Sequence, residues 1–222
     1  MTRKELLDRI ADHVLAVRAD HPVRVAVDGV DASGKTALAD ELVAPLRRSG
    51  RDVLRASIDG FHLPRERRHA RGRRSPQGYY EDSFDLDLLR RAVLEPLGPG
   101  GDRRWLPAAF DWRADRPVDE PPHEAAPDAI LVLDGVFLQR PELAPHWDLT
   151  VFLQVDFATS VERALSRDAH DDAERAELAA LYRERYVLGQ ELYLARCIPR
   201  ERAHLVVDNT DLDRPFLAAE RA

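Results

Sequence analysis

One eight-residue stretch near the amino terminus constrains the fold of this chain more than any other feature. Residues 29–36 read Gly-Val-Asp-Ala-Ser-Gly-Lys-Thr, which fits the phosphate-binding loop pattern G-x-x-x-x-G-K-[ST]. The glycines let several backbone N–H groups turn toward one phosphate chain, while Lys35 reaches the β and γ phosphates and the Thr36 hydroxyl holds Mg²⁺. The pattern therefore predicts a nucleotide site. The residues predicted to form it are Gly29, Asp31, Ala32, Ser33, Gly34, Lys35, Thr36 and Ala37.

The use of lysine supports this interpretation of the loop. The chain has 33 Lys and Arg residues, yet Lys4 and Lys35 are its two lysines. Lysine offers a compact ammonium charge, whereas arginine offers a planar fork of donors. A chain that otherwise uses arginine has therefore kept lysine where a phosphate needs a point charge.

The residues on either side of the loop supply the expected context. Residues 23–27 are a short β-branched run that predicts a buried strand. Residues 35–48 predict a helix, because Leu38, Leu42 and Leu46 recur on one face. A strand, a glycine loop and a helix amino terminus together place anionic phosphate at the positive end of a helix.

The composition limits the classes of protein that fit. With 222 residues, 44% of them apolar, the chain is long enough for one α/β domain over residues 1–222. Its net charge of −7 argues against nucleic acid or a membrane as partner. The single cysteine, Cys197, has no partner for an internal disulfide, so we expect a cytoplasmic protein. The sequence leaves the oligomeric state open, a homo-oligomer included.

The rest of the chain alternates between predicted strands and predicted helices. Strands are predicted at residues 52–58, 129–133, 150–155 and 204–207, and helices at residues 3–18, 84–95, 158–167 and 173–195. This order predicts a parallel sheet covered by helices on both faces. Its ligands should lie at the carboxyl ends of the strands.

Two stretches have no clear periodicity. Residues 63–80 are predicted to be a loop beside the acceptor site, and six arginines fall within residues 65–74. Two interpretations of that run stay open, a solvated loop and an anion-binding flap for an acidic or phosphorylated acceptor. Residues 96–128, rich in Pro, Gly and charge, predict either an irregular insertion or a small hairpin.

Three predicted strands end in an aspartate followed by glycine, at Asp28, Asp59 and Asp134. Because the carboxyl ends of parallel strands meet at one edge, we expect these acids beside the phosphate loop. Carboxylates suit both Mg²⁺ and a hydroxyl group that accepts a phosphoryl group. We predict that Asp59 is the general base, and that Thr36, Asp59 and Asp134 hold the metal.

The order of these motifs resembles a known superfamily. The phosphate loop is followed by Ser57-Ile58-Asp59-Gly60-Phe61-His62, Tyr79-Tyr80-Glu81-Asp82-Ser83-Phe84-Asp85 and Leu133-Asp134-Gly135. Over about residues 23–209 the chain resembles the uridine kinase, phosphoribulokinase and bacterial pantothenate kinase superfamily, and the uridine kinase-like proteins most of all. The resemblance implies a P-loop NTPase fold with a small lid at about residues 163–185. It also implies an enzyme that uses ATP and Mg²⁺ to phosphorylate a hydroxyl group of a small molecule.

The resemblance implies roles for individual residues as well. Asp59 matches the aspartate that takes the proton from the acceptor hydroxyl, and Arg167 matches a lid arginine that acts with Lys35 on the phosphoryl group. Asp82 matches an aspartate that binds ribose hydroxyls, and His62 falls at a substrate-contacting position. The residues expected to contact the substrate are His62, Asp82, Phe110, Arg163 and Gln190.

The chain also departs from its relatives in ways that bear on the acceptor. Residues 110–115 read Phe-Asp-Trp-Arg-Ala-Asp, where uridine kinases have Tyr-Asp-Phe followed by a base-reading histidine. A nucleoside is the first predicted acceptor, because Asp82 suits a vicinal diol, and pantothenate or a sugar is the second. A nucleotide-binding regulatory NTPase with no small-molecule acceptor is the alternative from another class.

Overall fold

A mixed sheet forms the centre of the molecule. The computed structural model describes residues 1–221, and its strands are β1 (Val23–Gly29), β2 (Val53–Ser57), β3 (Arg104–Trp105), β4 (Phe110–Asp111), β5 (Arg116–Pro117), β6 (His123–Glu124), β7 (Ile130–Gly135), β8 (Leu149–Gln154), β9 (Leu205–Asp208) and β10 (Phe216–Glu220). The main sheet has the order β10-β9-β8-β1-β7-β2. Strand β1 pairs in parallel with both β7 and β8, and β7 pairs in parallel with β2. The predicted α/β fold is therefore confirmed, and the carboxyl ends of β1, β7 and β2 meet at one edge.

Strand β10 corrects the prediction of a purely parallel sheet. It runs antiparallel to β9 at the edge of the sheet, with a register irregularity between Leu217 and Ala219. Its side chains alternate between exposed and half-buried, and two of its five residues are alanine. Alanine has a low preference for strands, so the sequence gives a weak signal for this short edge strand.

The helices follow the predicted order with some changes of boundary. They are α1 (Arg3–Ala16), α2 (Lys35–Arg47), α3 (Arg65–Arg68), α4 (Pro76–Asp82), α5 (Leu86–Leu89), α6 (Phe157–Asp168), α7 (Asp172–Leu181), α8 (Val187–Cys197) and α9 (Pro199–Arg202). A wider, π-helical turn at Arg90–Leu94 continues α5, and another at Tyr182–Tyr186 joins α7 to α8. The predicted helix at 173–195 is thus one helical run with a π turn inside it. Within the described part of the chain, no helix is long and apolar enough to cross a membrane.

Residues 63–80 are more ordered than the predicted loop. They contain α3 and the first part of α4. Helix α4 begins where Ser75 Oγ accepts a hydrogen bond from the Gly78 N–H at 3.0 Å, and Pro76 occupies the first helical position. A serine cap followed by proline is a recognisable helix start, so this correction was available in the sequence.

The insertion at residues 96–128 is made of short antiparallel ribbons. Strand β3 pairs with β6, and β4 pairs with β5 inside that pair. The inner ribbon also contacts the turn after β2, because the Ala109 N–H donates to the Gly60 carbonyl at 2.8 Å. This contact brings residues 110–115 close to the predicted general base.

Helices cover both faces of the sheet, as predicted. On one face α1 and α2 pack on the sheet, and Leu6, Ile10 and Leu38 are fully buried there. On the other face α4, α5, α8 and the insertion bury an aromatic-rich cluster that includes Phe61 and Phe137. Burial of this kind stabilises a domain by about 25 cal/mol for each Å² of apolar surface removed from water.

One buried ion pair allows a stability prediction. Arg24, on β1, is 5% exposed, and its Nε and Nη2 donate to the two carboxylate oxygens of Asp148 at 3.0 and 2.9 Å. Replacing Asp148 with alanine would leave the guanidinium buried without its partner. We expect the free energy of unfolding, measured in urea, to fall by about 3 kcal/mol. The Asp8→Ala variant removes ion pairs to two exposed cations, Lys4 and Arg48, and should change the free energy of unfolding by less than about 1 kcal/mol. Equal losses in both variants would contradict the prediction.

Candidate active site

The phosphate loop lies between β1 and α2 in a conformation that its sequence permits. Gly34 has a φ of +93°, in the left-handed region, and Ala32 lies in that region at +51°. The Asn209 side chain, buried just after β9, donates to the Ser33 carbonyl at 2.7 Å. A Cβ atom on Gly34 would stand 2.7 Å from Asn209 Nδ2. The shape of the loop therefore depends on Asn209, a residue that lies far from it in the sequence and belongs to no motif.

Lys35 lies inside the curve of this loop. The side chain is buried, and Nζ donates to the Val30 carbonyl oxygen at 2.6 Å. The next residue, Thr36, donates through Oγ1 to Asp134 Oδ2 at 2.6 Å. The ammonium and the hydroxyl expected to meet phosphate and metal are thus held on the side of the loop that faces the end of β7.

A cavity of about 550 Å³ opens at this edge of the sheet, within the size range of small-molecule sites. Of the residues predicted for the site, its walls contain Asp31, Ala32, Gly34, Lys35, Thr36, Ala37, Asp59, His62, Asp134 and Arg167. Side chains that the prediction did not include also line it: Ser57, Arg68, Tyr79, Phe84, Trp112, Val136, Asp168, Leu178, Tyr182 and Tyr186. The phosphate loop, the strand-end acids and an aromatic wall therefore share one space.

Asp134, at the carboxyl end of β7, is fixed by two partners. It accepts the hydrogen bond from Thr36 and an ion pair from Arg55 Nη2 at 2.9 Å. Arg55 lies on β2 and also pairs with Asp40 at 2.8 Å. No motif in the sequence marks Arg55, because only the pairing of β2 with β7 brings it to Asp134.

Asp59 lies in the helical turn Ile58–Phe61 that follows β2, on the wall of the cavity. The residue is exposed at the cavity surface, yet desolvation by the surrounding walls raises the pKa of its carboxyl group. The charge of Asp134 raises this pKa further, while Lys35 lowers it. A carboxylate with a raised pKa beside a phosphate loop is suited to accept a proton.

An aromatic wall begins next to Asp59. His62 Nδ1 is 2.9 Å from the Asp59 carbonyl oxygen, and burial lowers the pKa of His62 to about 4, so the imidazole is neutral at pH 7. Its ring centroid is 4.4 Å from that of Phe84 and 5.7 Å from that of Trp112. This wall stands at the end of the cavity that is formed by β2 and the insertion.

Arg167 lies at the end of α6, where the lid is predicted. It lines the cavity and makes an ion pair with Asp168 at 2.7 Å. More than half of its side chain is exposed, so the pair is weakly held. A guanidinium in this position can change partners at little cost.

Two of the predicted substrate-contacting residues are placed away from the cavity walls. Asp82 accepts a hydrogen bond from Arg71 Nε at 2.8 Å and lines a separate, smaller cavity with Leu63 and Arg67. Phe110 is buried in the insertion. Neither residue lines the cavity that contains Asp59, so the predicted contact of each with the substrate stays a prediction.

Two others support the backbone of the site. Arg163 Nη2 donates to the carbonyl oxygens of Asn209 and Thr210, at 3.0 and 2.8 Å. Gln190, 1% exposed, accepts from the Asp31 N–H at 2.6 Å and donates to Asp31 Oδ2 at 3.3 Å. Both side chains hold loops around the nucleotide end of the cavity and do not line it.

A buried network lies behind the phosphate loop. Asp28, fully buried on β1, accepts hydrogen bonds from Tyr193 Oη, from Gln139 Nε2 at 3.1 Å and from the Gly29 N–H at 2.8 Å. Burial raises the pKa of Asp28 to about 6, against the effect of these donors. The sequence marked Asp28 as a strand-end acid, but it does not line the cavity.

This network makes the stability of the protein depend on pH. A folded-state pKa of about 6, above the ordinary 3.8, means that this group stabilises the fold fully below about pH 4 and that this contribution is lost as pH rises through 6. Relative to wild type, Asp28→Asn should gain about 2 kcal/mol in unfolding free energy between pH 4 and pH 7, in urea titrations. If the difference in unfolding free energy between Asp28→Asn and wild type did not vary with pH, the prediction would be wrong. The exposed Asp12→Asn variant is the control.

Comparisons with known proteins bear on this architecture. No protein-family model matches the chain. The tRNA-specific adenosine deaminase subunit tad2 of Schizosaccharomyces pombe is 24% identical over 186 residues, which are 82% of this chain and 43% of that protein. Uridine-cytidine kinase B of Dictyostelium discoideum is 25% identical over 167 residues, 75% of this chain and 67% of that protein. The chain thus spans less than half the length of the first of these relatives.

Solved structures show the same fold. A protein described as a possible uridine kinase, from Bacillus stearothermophilus, has a TM-score of 0.73 and 22% identity over 91% of this chain and 97% of its own. The D-glycerate 3-kinase of Cryptococcus neoformans var. grubii has a TM-score of 0.65 and 15% identity over 95% of this chain and 98% of its own. The chain therefore has the fold of the P-loop kinases. The predicted resemblance to uridine kinase-like proteins is confirmed as a likeness of fold.

Proposed function

We propose that this protein is a kinase that transfers the γ-phosphoryl group of ATP to a hydroxyl group of a small molecule. The observation that carries the proposal is the shared cavity, which joins the phosphate loop with Lys35 to Asp59 and an aromatic wall. The P-loop kinase neighbours support the same class of reaction. Deaminase activity, as in the name of one relative, is not supported, because zinc deaminases need at least two cysteine ligands and this chain has Cys197 as its single cysteine.

The residues at the nucleotide end fit ATP with Mg²⁺. The loop has N–H groups and a lysine for phosphate oxygens, and Thr36 and Asp134 already share one hydrogen bond as neighbouring oxygen donors. Asp59 adds a second carboxylate on the same cavity wall. When bound, Mg²⁺ neutralises charge on the phosphates and fixes their geometry.

The reaction assigns a task to each side chain. The acceptor oxygen forms a bond to the γ phosphorus, the bond from that phosphorus to the bridging oxygen breaks, and ADP leaves. Asp59 receives the hydroxyl proton on its carboxylate, and its raised pKa strengthens it as a base. Lys35 and Arg167 exchange their present partners, the Val30 carbonyl and Asp168, for oxygens of the transferring group.

The acceptor has to be inferred from the side chains that line the cavity beside Asp59. Asp82, the residue that suited a vicinal diol, pairs with Arg71 and lines a separate cavity, so it does not favour a nucleoside over other acceptors. Trp112 and His62 still offer ring faces to a planar group. Nucleosides, pantothenate and sugars therefore all belong in the first panel of acceptors.

The test is ADP release from Mg·ATP against that panel, with the Asp59→Asn protein as control. We expect ADP release to be close to zero without an acceptor and to increase strongly when the right acceptor is added. The Asp59→Asn protein should not show this increase. Slow ATP hydrolysis that no acceptor stimulates would favour the regulatory NTPase instead. ATP binding without any phosphoryl transfer across a broad panel would contradict the kinase assignment.

A further inference from the structure

Arg68 presents an incompletely paired guanidinium to the aromatic end of the cavity. Its side chain is 12% exposed, and Nη2 donates to Asp115 Oδ1 at 3.2 Å and to the Trp112 carbonyl at 3.5 Å. Its Nε is buried and has no hydrogen-bond partner among residues 1–221. A buried donor without a partner is costly, so this atom is a candidate for a ligand contact.

The surroundings of Arg68 carry excess positive charge. Arg185, 4% exposed, donates to the Arg73 carbonyl at 2.9 Å and lies over the rings of Tyr79 and Tyr186, 5.6 and 5.8 Å from their centres. The nearby His69 has a lowered pKa, first from burial and then from the charges of Arg185 and Arg68. This end of the site is therefore electropositive, although the chain as a whole has a net charge of −7.

The position of Arg68 assigns it to the acceptor and not to the nucleotide. Arg68 reaches the cavity beside Trp112, and the ring of Trp112 lies next to that of His62. The imidazole of His62 is in turn within hydrogen-bonding distance of the Asp59 carbonyl oxygen. The nucleotide end has its own cations, Lys35 and Arg167. With His62 neutral at pH 7, the cations of the aromatic wall are two arginines. Arg68 lines the cavity, whereas Arg113 lies outside its lining with its guanidinium 4.8 Å from the centre of the Trp112 ring.

We propose that the acceptor carries an anionic group, a carboxylate or a phosphate, which Arg68 binds through its fork of donors while the acceptor hydroxyl faces Asp59. Arginine is suited to both groups because its planar fork matches pairs of oxygens. The inference rests on the proposed kinase function and narrows it, because it favours acidic acceptors over neutral ones of the same shape. Of the two interpretations of the arginine run, it selects the anion-binding one for Arg68.

The experiment compares acceptors that differ in charge. Glycerate is paired with glycerol, pantothenate with its alcohol, and ribulose 5-phosphate with ribulose, in the Mg·ATP assay of ADP release. We expect one acidic acceptor to exceed its neutral counterpart by at least about 10-fold in kcat/KM. Because the carboxylate acceptors and the phosphate acceptor are assayed separately, the result also shows which anionic group the site binds.

Variants of Arg68 separate this role from a structural one. Arg68→Gln should raise the KM for the acidic acceptor by about 10- to 100-fold, with the KM for ATP and the melting temperature unchanged, and Arg68→Lys should recover part of the loss. Arg67→Gln, one residue away and exposed, should behave as wild type. If neutral acceptors are used as well as acidic ones, or if wild type and Arg68→Gln have equal KM values, the inference of an anionic acceptor is wrong but the kinase function stands. If no acceptor stimulates ADP release, both the kinase function and this inference are wrong.

Discussion

The Lys35→Ala variant is expected to lose phosphoryl transfer by about 10²- to 10³-fold or more while it keeps its fold. Lys35 is the ammonium inside the phosphate loop, and its present partner is a carbonyl oxygen that water can satisfy once the side chain is gone. Removing one preorganised donor from a developing negative charge has costs of this size. The measurement is the initial rate of ADP formation with the acceptor found in the panel, beside a thermal melt of each protein.

The chain supplies a matched control for this change. Lys4 is the other lysine, exposed on α1 and paired with Asp8 at 2.5 Å. Lys4→Ala removes the same chemical group from the surface and should leave the rate and the melting temperature near their wild-type values. Turnover of Lys35→Ala at the wild-type rate would remove the phosphate loop from the mechanism.

The Asp59→Asn variant is expected to lower kcat by about 10²- to 10⁴-fold, the usual range for a general base. Asparagine keeps the shape of the side chain but cannot take the proton. The phosphate loop is untouched, and Thr36 and Asp134 still offer oxygen ligands for Mg²⁺, so kcat should fall far more than the affinity for ATP. Asp82→Asn, a matched acid that lies outside the cavity, should keep its activity if the acceptor site is the one described.

The same residue predicts a pH dependence. Because the pKa of Asp59 is raised, its carboxylate becomes protonated at a higher pH than the carboxylate of an ordinary aspartate. Once protonated, it cannot act as a base. The kcat/KM for Mg·ATP, which reports the free enzyme, should therefore fall on the acid side with an apparent pKa above 3.8, and this limb should be absent from the residual activity of Asp59→Asn. If Asp59→Asn raised only the KM for the acceptor, Asp59 would be a residue that positions the acceptor and not the general base.

The phosphate loop, the strand before it and the helix after it could be predicted because their signals are local. Residues 29–36 are contiguous, and the glycines, lysine and threonine each act where they stand in the chain. The location of the strand-end acids could also be predicted, because parallel strands bring their carboxyl ends to the same edge of a sheet. For the same reason Asp59 and Asp134 were expected beside the loop, and both line the cavity.

Helix α4 and strand β10 were missed for different reasons. Ser75 and Pro76 mark the start of α4 in a stretch whose arginines and glycine suggested a loop. Strand β10 has little signal of its own, because it is held by pairing with β9 at the sheet edge. Local chemistry was overlooked in the first case, and tertiary pairing decided the second.

The sequence by itself determined the nucleotide end of this protein, because a phosphate loop is built from neighbouring residues. The tertiary structure decided the rest: it turned Asp82 out of the cavity, placed Gln190 behind the loop and brought Arg68 to the aromatic wall. These positions depend on contacts between residues far apart in the chain, such as Arg68 with Asp115. Contacts of this kind follow from how helices and ribbons pack, which no short stretch of sequence specifies.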